Sequence, residues 1–214
     1  MKTGPLRILI ADDHATTRLG IKQILREEFP GVVIGEAGDA AGTIRQLDAG
    51  PWSLLILDIS LPDHDGLALL GEIRRTHPGL LVLIFSVYPE DQFALRAIRA
   101  GASGYLAKER APEDLALAVR RVLAGGIFAS PSLGKLPVGG RPGHRAPLPH
   151  ETLSPREFEV FRLVVTGRAG KAIAADLGVS QKTVSTHRTR ILRKMNLRTT
   201  SDLVRYAIRM QLTV

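Results

Sequence analysis

Five short apolar runs, at residues 6–11, 32–36, 53–57, 80–85 and 104–107, alternate with helix-length amphipathic stretches through the first 129 residues of this 214-residue chain. Repeated βα units predict a parallel sheet covered by helices on both faces, which restricts the fold more than any other feature. Runs such as LLIL at 54–57 and LLVLIF at 80–85 are apolar throughout, as strands buried on both faces must be. Ligands of such sheets bind beyond the carboxyl ends of the strands. Asp12 and Asp13, Asp58, Ser86 and Lys108 each follow one of these runs directly, so all five are expected at one rim.

Charge divides the chain as sharply as periodicity does. Residues 1–129 carry 14 Lys and Arg against 16 Asp and Glu, residues 130–150 carry 3 against none, and residues 151–214 carry 12 against 5. The nets of −2, +3 and +7 make up the +8 of the whole chain, and only the last module is expected to meet a polyanion. The stretch SPSLGKLPVGGRPGHRAPLPH has no apolar period and reads as a flexible linker. The expected organisation is a domain over 1–129, a linker over 130–150 and a second domain over 151–214. Cysteine is absent, which excludes disulfides, thiolate nucleophiles and cysteine metal sites. No run approaches the roughly 18 apolar residues of a membrane span, and MKTGPLR lacks the apolar stretch of a signal peptide. The expected location is the cytoplasm, with no membrane partner.

Carboxylates gathered at one rim repel one another unless a cation neutralises them, and oxygen donors of this kind suit Mg²⁺. Asp58, on the central run, is the candidate nucleophile for phosphoryl transfer. Asp12 and Asp13 would hold the ion with the backbone carbonyl of Ser60, while Lys108 and the Ser86 hydroxyl would contact phosphoryl oxygens. His14 reads as a loop residue and Asp65 as a turn acid before Gly66.

These residues resemble the receiver domain of two-component response regulators. ADDH at 11–14, LDISLPDHDG at 57–66, FS at 85–86 and AGASGYLAK at 100–108 match it in order and spacing. The resemblance implies a flavodoxin-like fold of five parallel strands. It also implies that Asp58 accepts a phosphoryl group from a sensor histidine kinase in the presence of Mg²⁺, and that Ser86 and Tyr105 then reorient.

Everything after the linker reads as helical. Ser154, Pro155 and Glu157 form a capping box, KAIAADL a short helix, GVS a tight turn, and QKTVSTHRTRILRKM a longer helix opened by Ser180. A last helix is expected near residues 201–212. Two helices about a tight turn with basic flanks make a helix-turn-helix. The segment 153–212 is similar to the four-helix LuxR-type domain of NarL/FixJ response regulators. That resemblance implies base-edge contacts from Ser185, Thr186 and Thr189, and phosphate contacts from Lys182, Thr183, His187, Arg190, Arg193 and Lys194. Short uncharged side chains cannot make the bidentate guanine contact of Arg, so phosphates are expected to carry most of the affinity for DNA. Where the family has Asn and Glu, this chain has Gly170 and Ala172, which predicts a weaker cap on the scaffold helix.

The expected function is transcriptional regulation switched by phosphorylation of Asp58, with homodimers forming on phosphorylation and no enzymatic turnover beyond the receiver's own phosphoryl gain and loss. A haloacid-dehalogenase-type phosphatase also uses a strand-end Asp but needs an acid two residues later, where Ser60 stands. The alternative is a DNA-binding or adaptor protein of receiver fold that works without phosphorylation.

Overall fold

The computed structural model describes residues 4–61, 65–88, 90–129, 148–210 and 212, arranged as two compact units. Residues 62–64 of the LPDHDG motif and 130–147 of the expected linker lie outside the described residues.

In the first unit β1 (Arg7–Ala11), β2 (Val33–Ala37), β3 (Leu54–Leu57), β4 (Leu81–Ser86) and β5 (Gly104–Ala107) alternate with α1 (Ala15–Glu28), α2 (Ala40–Asp48), α3 (Gly66–Thr76), α4 (Glu90–Arg99) and α5 (Ala111–Leu123). All pairings are parallel, in the order β2-β1-β3-β4-β5. Strand order reverses between β1 and β3, where a crevice opens beyond the strand ends. One sheet face, through Ile8, Ile10, Leu54, Ile56, Leu83, Phe85 and Leu106, packs on Ile21 and Leu25 of α1 and on Leu115, Val119 and Val122 of α5. Burial of these side chains drives the unit together at roughly 1.5–3 kcal/mol each.

Local chemistry sets the helix starts. Asp65, expected as a turn acid, is the N-cap of α3 and accepts from the amides of Leu67 (3.0 Å) and Ala68 (3.4 Å). The next residue must be Gly66, because a Cβ there would collide with the Ile59 backbone. The start of α3 thereby lies directly against the Ile59 backbone.

The second unit comprises a short 3₁₀ turn (Pro149–Thr152) and helices α6 (Pro155–Val165), α7 (Gly170–Asp176), α8 (Gln181–Lys194) and α9 (Thr200–Arg209). Its core holds Phe158, Phe161, Ile173, Val184, Ile191, Leu203 and Ala207. The last three residues of the expected linker, 148–150, belong to this folded unit: His150 Nδ1 lies 2.7 Å from the Tyr206 hydroxyl of α9. The α6 capping box is present, with Glu157 N–H donating to Ser154 Oγ and Ser154 N–H to Glu157 Oε2. Helix α7 starts one residue earlier than expected, with Ala169 as N-cap and Gly170 inside the first turn. Ala169 has no side-chain cap, so the weak start is real and its position is shifted. Gly178, in the turn between α7 and α8, takes φ +62°, which suits a residue without Cβ.

Candidate functional site

Register brings the acids together. Ala11 pairs with Leu57, and the Asp58 amide donates to the Ala11 carbonyl at 2.8 Å, so Asp12 and Asp58 leave neighbouring strands side by side. Both are 1% exposed. Ser86 pairs with Ala107, which delivers Lys108 to the same rim. Its ammonium lies 2.6 Å from Asp58 Oδ2 and 2.7 Å from Asp12 Oδ2. Asp58 Oδ1 accepts from the Ser60 amide at 2.8 Å, which holds the residue two beyond the acid against its carboxylate. Burial pushes the Asp58 carboxyl up, against the pull of Lys108 and Ser60. Burial acts downward on Lys108, but Asp58 and Asp12 outweigh it and the ammonium is held above its usual range. The site is thus an ammonium shared by two buried acids.

Asp13 stands further out, and His14, the N-cap residue of α1, joins it: Nδ1 is 2.7 Å from Asp13 Oδ1. Donor atoms from Asp12, Asp13, His14 and Asp58 all lie within 4.8 Å of one another. Three carboxylates at that spacing fit a hard cation, and the single ammonium leaves them short of positive charge. Beyond the acids, buried Ser86 Oγ accepts from the Tyr88 amide at 3.1 Å, and the Tyr105 hydroxyl donates to the Tyr88 carbonyl at 2.9 Å. Tyr105 is wholly buried, and its ring position is tied to the loop that follows Ser86 at the end of β4.

In the second unit Ser180 caps α8 through the Thr183 amide at 3.0 Å. Val184, Ile191 and Met195 point into the core, leaving Lys182, Ser185, Thr186, Thr189, Arg190 and Arg193 exposed. Thr186 and Thr189 donate their hydroxyl protons to the carbonyls of Lys182 and Ser185. Toward a base edge these two therefore offer acceptor lone pairs and a methyl group.

A family model for the response regulator receiver domain matches residues 8–120, and one for bacterial regulatory proteins of the luxR family matches 151–207. The chain belongs to the response regulators. Within them it is of the NarL/FixJ subfamily, joining a receiver to a LuxR-type DNA-binding domain that acts on transcription. Oxygen regulatory protein NreC of Staphylococcus carnosus is 33% identical to this response regulator over 97% of its length and 99% of NreC. Nitrate/nitrite response regulator protein NarL of Escherichia coli is 31% identical, covering 91% of each chain. RcsB from Salmonella enterica serovar Typhimurium, solved bound to a promoter in the presence of the phosphomimetic BeF3−, has a TM-score of 0.61 at 29% identity, covering 95% of this chain and 98% of RcsB. Among the described residues no helix is long and apolar enough to cross a membrane.

The strand-end residues expected at the rim of this response regulator do converge there. Three of the expected phosphate contacts are differently employed. Lys194 Nζ is 2.6 Å from Oε2 of Glu157, which is buried on α6, so its charge is already paired within the unit. His187 is half-buried; burial pulls its imidazole down, against the opposing Glu157 carboxylate, and leaves it neutral at pH 7. Thr183 is also half-buried, with its amide and hydroxyl engaged by Ser180. His14 is the rim residue that strand-end logic missed. Its only sequence signal is adjacency to Asp12 and Asp13.

Proposed function

We propose that Asp58 accepts a phosphoryl group from the phosphohistidine of a sensor histidine kinase, and that this event regulates DNA binding by the second unit. The observation that carries the reading is Asp58 itself: a carboxylate 1% exposed at the end of the central strand, with an ammonium on one oxygen and an amide on the other. A carboxylate oxygen attacks phosphorus in line while the bond from phosphorus to the kinase imidazole breaks, and that electron pair leaves with the ring nitrogen. Asp12, Asp13, Asp58 and the Ser60 carbonyl would hold Mg²⁺, which when bound offsets negative charge on the phosphoryl oxygens.

The phosphoryl group adds about two negative charges. Lys108, already between the acids, meets them directly. The Ser86 hydroxyl turns to donate to a phosphoryl oxygen and draws on the Tyr88 amide it now accepts from. Because the Tyr88 carbonyl holds the Tyr105 hydroxyl, the displacement reaches Tyr105 and the start of α4. That coupled loop is the element whose two positions favour a monomer or a homodimer. The protein works in the cytoplasm and turns over no substrate other than its own phosphoryl group. Exposed Ser185, Thr186 and Thr189 face base edges, and Lys182, Arg190 and Arg193 supply the phosphate contacts.

The test is incubation with Mg²⁺ and acetyl phosphate, followed by light scattering and by retention of a random-sequence duplex pool. Wild type should gain mass and retain more DNA, and Asp58→Asn should do neither. Identical behaviour of the two refutes the switch.

A further inference from the structure

Two cations on α1 take no part in the phosphoryl chemistry above. Arg18 and Lys22, one turn apart, both reach Glu36 on β2, with Arg18 Nε 3.0 Å from Oε2 and Lys22 Nζ 2.6 Å from Oε1. Arg18 also makes a second contact, through Nη1, which donates to the main-chain carbonyl of Asp12 at 2.6 Å. That carbonyl belongs to the peptide joining the two acids Asp12 and Asp13. The Asp12 amide donates to the Ala37 carbonyl at 3.1 Å, and Asp12 Oδ1 accepts from the His14 amide at 2.8 Å. Amide, side chain and carbonyl of Asp12 are therefore all held: the carboxylate by the His14 amide and Lys108, the carbonyl by Arg18 reaching in from α1.

Electrostatics make the three-residue arrangement intelligible. A bare guanidinium beside an acidic rim would oppose a cation there. Glu36, shared with Lys22, offsets part of that charge, and its hydrogen bond from Lys22, helped by Arg18 against the cost of burial, keeps its carboxyl below the usual range and ionised at neutral pH. Arg18 can then act as a fixed hydrogen-bond donor at little electrostatic cost to the site.

We propose that Arg18 is a positioning residue for the cation site: through the Asp12 carbonyl it sets the Asp12–Asp13 peptide so that both carboxylates face one divalent ion, with Glu36 offsetting part of its charge. The inference rests on the reading that these acids hold such an ion. Residues that orient metal ligands typically change metal affinity about 10–100-fold when removed.

The test titrates Mn²⁺, an oxygen-preferring divalent ion whose free form is counted by electron paramagnetic resonance, into the full chain at a temperature where circular dichroism shows each variant folded. Arg18→Ala should weaken Mn²⁺ binding about tenfold or more. Arg18→Lys should recover part of it, since an ammonium can reach one acceptor but lacks the fork that serves both. Glu36→Gln should also weaken binding, most at low ionic strength, because it leaves the guanidinium uncompensated. If Arg18→Ala lowers the melting temperature while Mn²⁺ affinity stays the same or tightens, Arg18 is only a brace for α1 and the proposal is overturned. Equal Mn²⁺ binding by wild type and Asp12→Asn instead sinks the cation reading beneath it, and the inference falls with that reading.

Discussion

Replacing Lys108 by Met keeps an apolar stem of similar length and deletes the ammonium lying 2.6 Å from Asp58 and 2.7 Å from Asp12. With both acids 1% exposed, the variant leaves two buried carboxylates facing each other without the ammonium that lay between them. Removing one partner of a buried ion pair costs about 3–5 kcal/mol. A divalent ion brings two positive charges to the same oxygens, and saturation at a hundred times its dissociation constant adds about 2.7 kcal/mol of stability. It should help the variant more than the wild type, because there it supplies the neutralisation that Lys108 provided. The expected deficit is therefore about 3–5 kcal/mol in EDTA and smaller in Mg²⁺, by the part of that stabilisation which wild type does not share.

Acidity gives an independent check on the same reasoning. Burial holds Asp58 above its usual range and Lys108 pulls it back down, so deleting Lys108 raises it further. A carboxyl whose folded pKa exceeds its unfolded value favours folding below the unfolded value and loses that contribution as pH rises through the folded one. In EDTA the variant should thus regain stability relative to wild type as pH falls from neutrality toward the ordinary carboxylate range. Urea unfolding followed through Trp52 measures this, since it is the chain's single tryptophan and its indole N–H is anchored on the Gln46 carbonyl within the first unit. A variant as stable as wild type in EDTA, or a deficit that Mg²⁺ leaves intact, would refute the shared-ammonium account.

In the second unit, burial raises the Glu157 carboxyl, but Lys194 and the Ser154 cap outweigh it, so its folded pKa lies below the unfolded 4.5. The stability it contributes is present above that value and lost as pH falls through the lowered one; Lys194→Met should cost about 1–2 kcal/mol at pH 7, discounted for the half-exposed ammonium, and move acid unfolding to higher pH by circular dichroism. An unchanged acid midpoint counts against the pair. With one phosphate contact each from Lys182, Arg190 and Arg193, three of the exposed cations of α8, two protomers neutralise about six phosphates, so log affinity for a random duplex should fall with log salt at a slope of about −5 in fluorescence anisotropy. Affinity that is flat with salt would mean phosphates do not carry the binding.

Much of the architecture was legible in the chain. Apolar runs placed β1 to β5 within a residue, because β1, β3, β4 and β5 are buried along nearly their whole length, while the edge strand β2 keeps enough apolar residues to be read despite the exposed Glu36. The capping box at Ser154 and the cap at Ser180 were readable because a cap and its amide lie three residues apart. Where two frames compete, local chemistry was ambiguous. The last helix was expected to begin near Ser201, but Thr199 is the cap, exchanging hydrogen bonds with Asp202. The one-residue error at Ala169 and Gly170 has the same source, since neither residue has a side chain that can cap.

Sequence alone determined which residues end the strands, and a parallel sheet then carries Asp12, Asp58, Ser86 and Lys108 to one edge whatever the side chains do. The tertiary structure decided how long, flexible cations are spent. Arg18 finds Glu36 eighteen residues on, Lys108 finds Asp58 fifty residues back, and Lys194 turns inward to Glu157 across thirty-seven. Helical periodicity could state only that Lys194 lies off the core face. Whether such a side chain meets a phosphate or a carboxylate depends on which element packs alongside, and that is a property of distances between elements that no local spacing encodes.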